Sequence, residues 1–264
     1  MEKITAPMIR ERKGGEKISM LTAYDFPFAQ IMDAAGIDVI LVGDSVGNTV
    51  LGYANTLPVT VDEMIHHTSA VTRGARRALV VIDMPFMSYQ ESVEQARRNA
   101  GRMIKESGAQ AVKIEGGRSM GETIRAIVAI DIPVMAHVGL TPQSVNAMGG
   151  YKVQGKGSSE EMVIEDAEAV EEAGAFSVVL EGIPRDLGKT ITETLSIPTI
   201  GCGAGPDCDG QVLVMHDLLG LAGPFRPKFA KTYVNLREQI EKGVKEYIEE
   251  LRSGAFPDDA HCFH

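Results

Sequence analysis

Long apolar runs are missing from this sequence. The longest, such as "ALVVI" at 78–82, reach about the length of a β-strand and fall far short of the roughly 20 residues that a membrane-spanning helix needs. The opening "MEKITAPMIRERKGGEK" is charged and lacks the apolar centre of a secretion signal. Basic runs are missing too: beyond pairs such as Arg76-Arg77 and Arg97-Arg98, positive charge is scattered through a chain of net charge −10. Neither nucleic acid nor an anionic membrane surface is therefore the expected partner. Cysteine is scarce. Cys202, Cys208 and Cys262 are too few for a disulfide framework and are expected as free thiols in a reducing compartment, so the expected location is cytoplasmic.

No linker or low-complexity tract interrupts the 264 residues. A chain of this length buries roughly three quarters of its unfolded surface and needs no staples. Short β-rich runs alternate with helical patterns. Strands are expected at 18–21, 39–42, 79–82, 111–114, 134–136, 176–180, 199–202 and 212–215. Between them, "SVEQARRNAGRMIKES" and "SSEEMVIEDAEAVEEA" space apolar residues three to four apart, with charges on the other face. Ser92 is placed to cap a helix, and Gly108 and Gly174 to end two. Such alternation implies a parallel sheet. Eight strands in one domain over 1–264 favour an α/β fold of the (β/α)8 TIM-barrel type, with an open doubly wound sheet as the alternative. Strands seven and eight are so close that the helix between them must be very short or absent.

Four of the apolar runs end in an acid: Asp44 in "DVILVGDS", Asp83 in "ALVVIDMP", Glu115 in "AVKIEGG" and Glu181 in "FSVVLEGIP". The intervals are 39, 32 and 66 residues. A βαβ unit is about 30 residues, so the last interval spans two units, with the His137 strand between. Side chains alternate faces along a strand; Lys113 and Glu115 therefore share one face, as do Val179 and Glu181. Active sites of parallel barrels lie where the strands' C-terminal ends meet. Any one acid there has a plain role as a cap or turn residue. Four, with a lysine that needs anionic partners if buried, point to a site. Carboxylates without a Cys/His ligand set suit a hard cation held by oxygen, and Mg²⁺ fits best.

Other motifs are weaker. "GYKVQGKG" at 150–157 nearly matches a phosphate-binding loop, but Gly157 stands where Ser or Thr is required. A mobile loop over the site, or a purely structural one, is expected instead. "GCGAG" at 201–205 reads as close backbone packing, and the tail "HCFH" makes a poor zinc site. His66 and His67 are expected on a helix, one inward and one solvated.

The ordered series "LVGDSVG", "LPVT", "DMPFMSY", "VKIEGG", "HVGLTPQS", "GGYKVQGKG", "GCGAG" and "DGQVLVMHDLLG" resembles the ketopantoate hydroxymethyltransferases, from about residue 17 to the C-terminus. The resemblance implies a (β/α)8 barrel that assembles as a homo-oligomer, commonly a decamer. It implies transfer of a one-carbon unit from 5,10-methylenetetrahydrofolate to 3-methyl-2-oxobutanoate, giving 2-dehydropantoate on the route to pantothenate. By motif, Asp44, Asp83 and Glu115 resemble the metal group, Glu115 acting directly or through a water. Asp44, Ser45, Asp83 and Lys113 resemble the keto-acid contacts, and Glu181 the proton acceptor. His137 either faces the substrate or supports the site from behind. Two rivals remain: a carbon–carbon lyase or phosphoenolpyruvate-mutase type on a related barrel, and a barrel that binds a keto acid without turnover. No cysteine near the strand-end acids matches the lyase pattern.

Overall fold

The computed structural model describes residues 2–223 and 227–263. The chain packs as two compact units, Met1–Val214 and Met215–His264. All eight strands lie in the first: β1 (Ile18–Thr22), β2 (Val39–Val42), β3 (Leu79–Asp83), β4 (Ala111–Glu115), β5 (Val134–Gly139), β6 (Ser177–Glu181), β7 (Thr199–Cys202) and β8 (Gly210–Leu213). Each pairs in parallel with the next, and β8 pairs with β1, closing a barrel in sequence order. The (β/α)8 expectation holds and the open-sheet alternative falls. Most strand bounds agree within a residue or two. β8 ends at Leu213 instead of 215, because Met215 already opens a short helix, Met215–Leu218. No helix separates β7 from β8 among the described residues; a turn-rich loop joins them.

Local signals account for the helices. Thr60 and Glu63 form a reciprocal capping box ahead of Val61–Gly74, satisfying two N–H groups that a helix start leaves orphaned. Ser92 accepts from Gln95 N to open Val93–Ser107, which Gly108 ends in the left-handed conformation (φ 78°). A cap of the Ser92 kind typically contributes about 1 kcal/mol. His66 and His67 lie on Val61–Gly74; His66 is exposed, and His67 Nδ1 reaches the carbonyl of Tyr24 at 2.8 Å.

The barrel interior follows the period of two. Met20, Val39, Leu41, Leu79, Val81, Ala111, Met135, Val179, Ile200 and Val212 fill its core, joined by Ile4, Ala6 and Ile9 of the N-terminal segment. Burying each large aliphatic chain contributes about 1.5–3 kcal/mol. The alternate residues Ile40, Val80, Val112, Ala136 and Val178 are buried on the other face. Acids also tie the chain together away from the site. Asp38 pairs with Arg12 (2.9 Å) and Arg77 (3.2 Å). Asp33 accepts from the N–H groups of Arg76, Arg77 and Ala78. Asp209 pairs with Lys13 at 2.9 Å.

In the second unit, the helix Leu236–Ser253 opens on Asn235, which accepts from Glu238 N, and has no buried residue. No described helix is long and apolar enough to cross a membrane.

Candidate active site

On four strands, continuing the inward alternation carries the chain from an apolar core residue to polar ones. Val81 leads to Asp83, Ala111 to Lys113 and Glu115, Met135 to His137, and Val179 to Glu181. Asp83, Glu115 and Glu181 are the last residues of β3, β4 and β6. Asp44 lies two residues past β2. Gly43 precedes it because a Cβ there would come within 2.7 Å of Ser45 Oγ and 3.3 Å of Asp83 Oδ2.

The structure brings the sequence-derived residues together. Lys113 Nζ lies 2.6 Å from Asp83 Oδ1 and 4.0 Å from Glu115 Oε1. Asp44 donates its backbone N–H to Asp83 Oδ2 at 3.0 Å. Ser45 Oγ and Tyr24 Oη are 2.8 Å apart. His137, which the sequence left open, stands between two acids: Nδ1 is 3.6 Å from Glu115 Oε1 and Nε2 is 3.3 Å from Glu181 Oε2. Neither approach is a hydrogen bond, and both ring nitrogens are buried without one. Asp44, Asp83, Lys113 and Glu115 are all at most 6% exposed, whereas the Glu181 side chain is 18% exposed.

So many buried acids perturb one another. Burial, and then the charge of Asp83, push the Asp44 carboxyl up to about 7. Burial and the charge of Asp44 raise Glu115 well above the usual carboxylate range. Burial works against the Lys113 ammonium, but Asp83, Glu115 and Asp44 outweigh it and hold the amine above its ordinary value. One lysine is too little positive charge for this group of acids, which is the condition a bound cation relieves.

The donor set fits such an ion. Carboxylate oxygens suit a hard divalent cation, and Asp44 Oδ1 accepts no hydrogen bond among the described residues. Among those residues no three acidic, histidine or cysteine groups form a ready-made metal cage.

Residues that sequence reasoning did not single out complete the site. Tyr24, Tyr89 and Gln143 are buried among the acids. Tyr89 and Gln143 fall inside the quoted segments "DMPFMSY" and "HVGLTPQS", so the signal was a polar group in a loop that follows a strand. The glycine-rich segment 150–157 is tied down by Gln154 N–H donating to the Gly182 carbonyl at 2.9 Å. Its Tyr151 is 56% exposed, and the phenol is raised by partial burial and then by the charges of Asp44, Glu181 and Glu115. In the tail, His261 Nδ1 meets the nearby Asp258 and its ring packs on Phe256; no metal cluster forms among the described residues. Cys202, Cys208 and Cys262 form no disulfide among the described residues.

Solved structures with this barrel include a phosphonopyruvate hydrolase (TM-score 0.66, 13% identity, covering 100% of this chain and 92% of that one). Another is 2,3-dimethylmalate lyase, a PEP mutase/isocitrate lyase superfamily member (TM-score 0.63, 18% identity, covering 98% and 91%). At these identities the likeness extends to the fold alone. Sequence relatives are far nearer. The 3-methyl-2-oxobutanoate hydroxymethyltransferase of Pelobacter propionicus is 59% identical over 264 residues, covering 100% of this chain and 98% of the relative. That of Geobacter sulfurreducens is 62% identical over 250 residues, covering 94% of each. A family model described as ketopantoate hydroxymethyltransferase matches residues 3–259. The barrel, its strand-end acids and this match across the chain agree: the protein belongs to the ketopantoate hydroxymethyltransferase family.

Proposed function

We propose that this chain is a Mg²⁺-dependent transferase that moves a hydroxymethyl unit from 5,10-methylenetetrahydrofolate to 3-methyl-2-oxobutanoate, forming 2-dehydropantoate for pantothenate synthesis. The observation that carries the reading is the convergence of Asp44, Asp83, Lys113, Glu115 and Glu181 at the strand ends of one barrel. Family membership names the reaction.

A Mg²⁺ ion held by Asp44, Asp83 and Glu115, the last directly or through water, would supply the Lewis acidity that polarises the ketone of a 2-oxo acid. The remaining work falls to the chain itself. The Lys113 ammonium balances the substrate carboxylate, beside Ser45 and the backbone after β2. Glu181, the least buried acid of the group, takes the proton from C3 as general base. His137, 3.3 Å away, limits where that carboxylate can swing. The C–H electron pair becomes that of the enolate, and C3 then bonds to the methylene carbon of the carrier. Both of the carrier's C–N bonds to that carbon break, one as C3 bonds to it and the other as water supplies the hydroxyl; the proton taken from C3 and one proton of the water return the two nitrogens to N–H. The folate carrier rests on the family resemblance.

We place the enzyme in the cytoplasm as a homo-oligomer, a decamer by resemblance. The support for assembly is the helix Leu236–Ser253, which exposes Ile240, Val244, Tyr247, Ile248 and Leu251 at the spacing of one helical face. A purely monomeric species in sedimentation velocity would remove this part.

The deciding experiment is deuterium exchange at C3 of 3-methyl-2-oxobutanoate, followed by proton NMR with and without Mg²⁺. Exchange that requires both enzyme and metal is expected. No exchange, even with methylenetetrahydrofolate added, would overturn the keto-acid assignment.

A further inference from the structure

Gln143 sits in a 3₁₀ turn, Pro142–Ser144, just after β5, and is 6% exposed. Its amide has two donors and two acceptor sites, and all four are used. Nε2 donates to Asp44 Oδ2 at 2.9 Å and to the Met84 carbonyl at 3.0 Å. Oε1 accepts from Tyr89 Oη at 2.7 Å and from Gln90 Nε2 at 3.2 Å. The orientation of the amide is therefore forced. Exchanging its oxygen and nitrogen would set Oε1 against a carboxylate and a carbonyl, and Nε2 against the Gln90 amide donor.

The same residue holds a second acid. Its backbone N–H donates to Glu115 Oε2 at 2.9 Å. One residue after β5 thus grips a carboxylate that follows β2 and another that ends β4. In each case a single oxygen is taken. Asp44 Oδ1 is left without a hydrogen bond among the described residues, and Glu115 Oε1 turns towards Lys113 and His137. Tyr89 supports the arrangement, since its hydroxyl accepts from Glu115 N–H at 3.2 Å while donating to Gln143.

We propose that Gln143 is a positioning residue for divalent-cation binding: it engages Oδ2 of Asp44 and Oε2 of Glu115, so that Oδ1 and Oε1 are the oxygens offered to the ion. The inference rests on the reading of Asp44, Asp83 and Glu115 as the metal group. Outer hydrogen-bond partners of metal ligands typically change metal affinity by roughly 10- to 100-fold when removed. Gln143 does not touch the substrate in this scheme; it acts through the two acids.

The test measures Mn²⁺ binding to the full chain, without substrate, by electron paramagnetic resonance of the free ion. Q143M keeps the side-chain length but removes the grip on Asp44, leaving the backbone bond to Glu115. Its Mn²⁺ dissociation constant should rise roughly 10- to 100-fold. Tyr89→Phe, which frees one anchor of the amide, should shift it the same way by less. Thermal unfolding without metal reports on the fold separately, and a merely structural role would move that midpoint while leaving the metal affinity of the folded protein unchanged. Unchanged Mn²⁺ affinity in a folded Q143M overturns the inference and leaves the metal group standing. Should Q143M not fold, unchanged affinity in Tyr89→Phe overturns it equally. A wild-type protein that binds no Mn²⁺ would sink the metal reading itself, and the inference with it.

Discussion

Lys113 Nζ meets Asp83 Oδ1 at 2.6 Å across the seam between β3 and β4, where the two residues are register partners. Both are buried, so neither charge has water to replace the other. Removing one member of a buried pair typically costs about 3–5 kcal/mol. Lys113→Met should therefore lower the unfolding midpoint by on the order of 10 °C at neutral pH. It should also raise KM for 3-methyl-2-oxobutanoate at least about tenfold, the loss expected from one charge-assisted contact. An unchanged KM would take Lys113 away from the substrate carboxylate, whatever the stability does.

Glu181 and Asp83 separate base from ligand. Glu181 is the last residue of β6 and lies nearest to His137, whereas Asp83 is locked between Lys113 and the Asp44 N–H. Glu181→Gln should reduce C3 deuterium exchange by two orders of magnitude or more and leave Mg²⁺ affinity unchanged. Asp83→Asn should weaken Mg²⁺ first. If Glu181→Gln lost metal affinity as well, Glu181 would be a ligand and not the base.

The buried acids also set a pH dependence. Burial and then the charge of Asp83 raise the Asp44 carboxyl, while burial and then the charge of Asp44 raise that of Glu115. A raised folded-state value means that the folded protein binds more protons than the unfolded chain. The resulting stability is complete below about 4 and is lost as pH rises towards and past about 7, the value reached by Asp44. Asp33, Asp38 and Asp209 shift the other way, because hydrogen bonds outweigh burial; their contribution is lost only as pH falls below about 3.8. Lys113, raised above 10.5, is protonated throughout this window. The metal-free protein should thus melt at a lower temperature at pH 8 than at pH 5. Mg²⁺ should restore more at pH 8. Differential scanning calorimetry with chelator, then with Mg²⁺, reads both; a midpoint that climbs steadily from pH 5 to pH 8 without metal would contradict it.

Much of this was legible in the residues. The period of two in "AVKIEGG" put Lys113 and Glu115 on one face, and the register across β4 and β5 bears that out, with Glu115 facing His137. Ser92 and Gly108 marked their helix ends because capping is local: it needs only the neighbouring N–H and carbonyl groups. The end of β8 was misplaced by two residues, since "VLVM" continues apolar while the backbone has already turned.

By itself the sequence determined the alternation of eight strands with helices and the set of strand-end acids, because alternation and caps act over a few residues; closure into a barrel was decided between β8 and β1. Tertiary structure decided which groups touch. Gln143 lies 99 positions from Asp44 and 28 from Glu115, and no local pattern relates them. Only closure of eight strands brings their loops to one mouth. There, burial in low dielectric turns separate carboxylates into one coupled group, with proton affinities that no single residue carries along the chain.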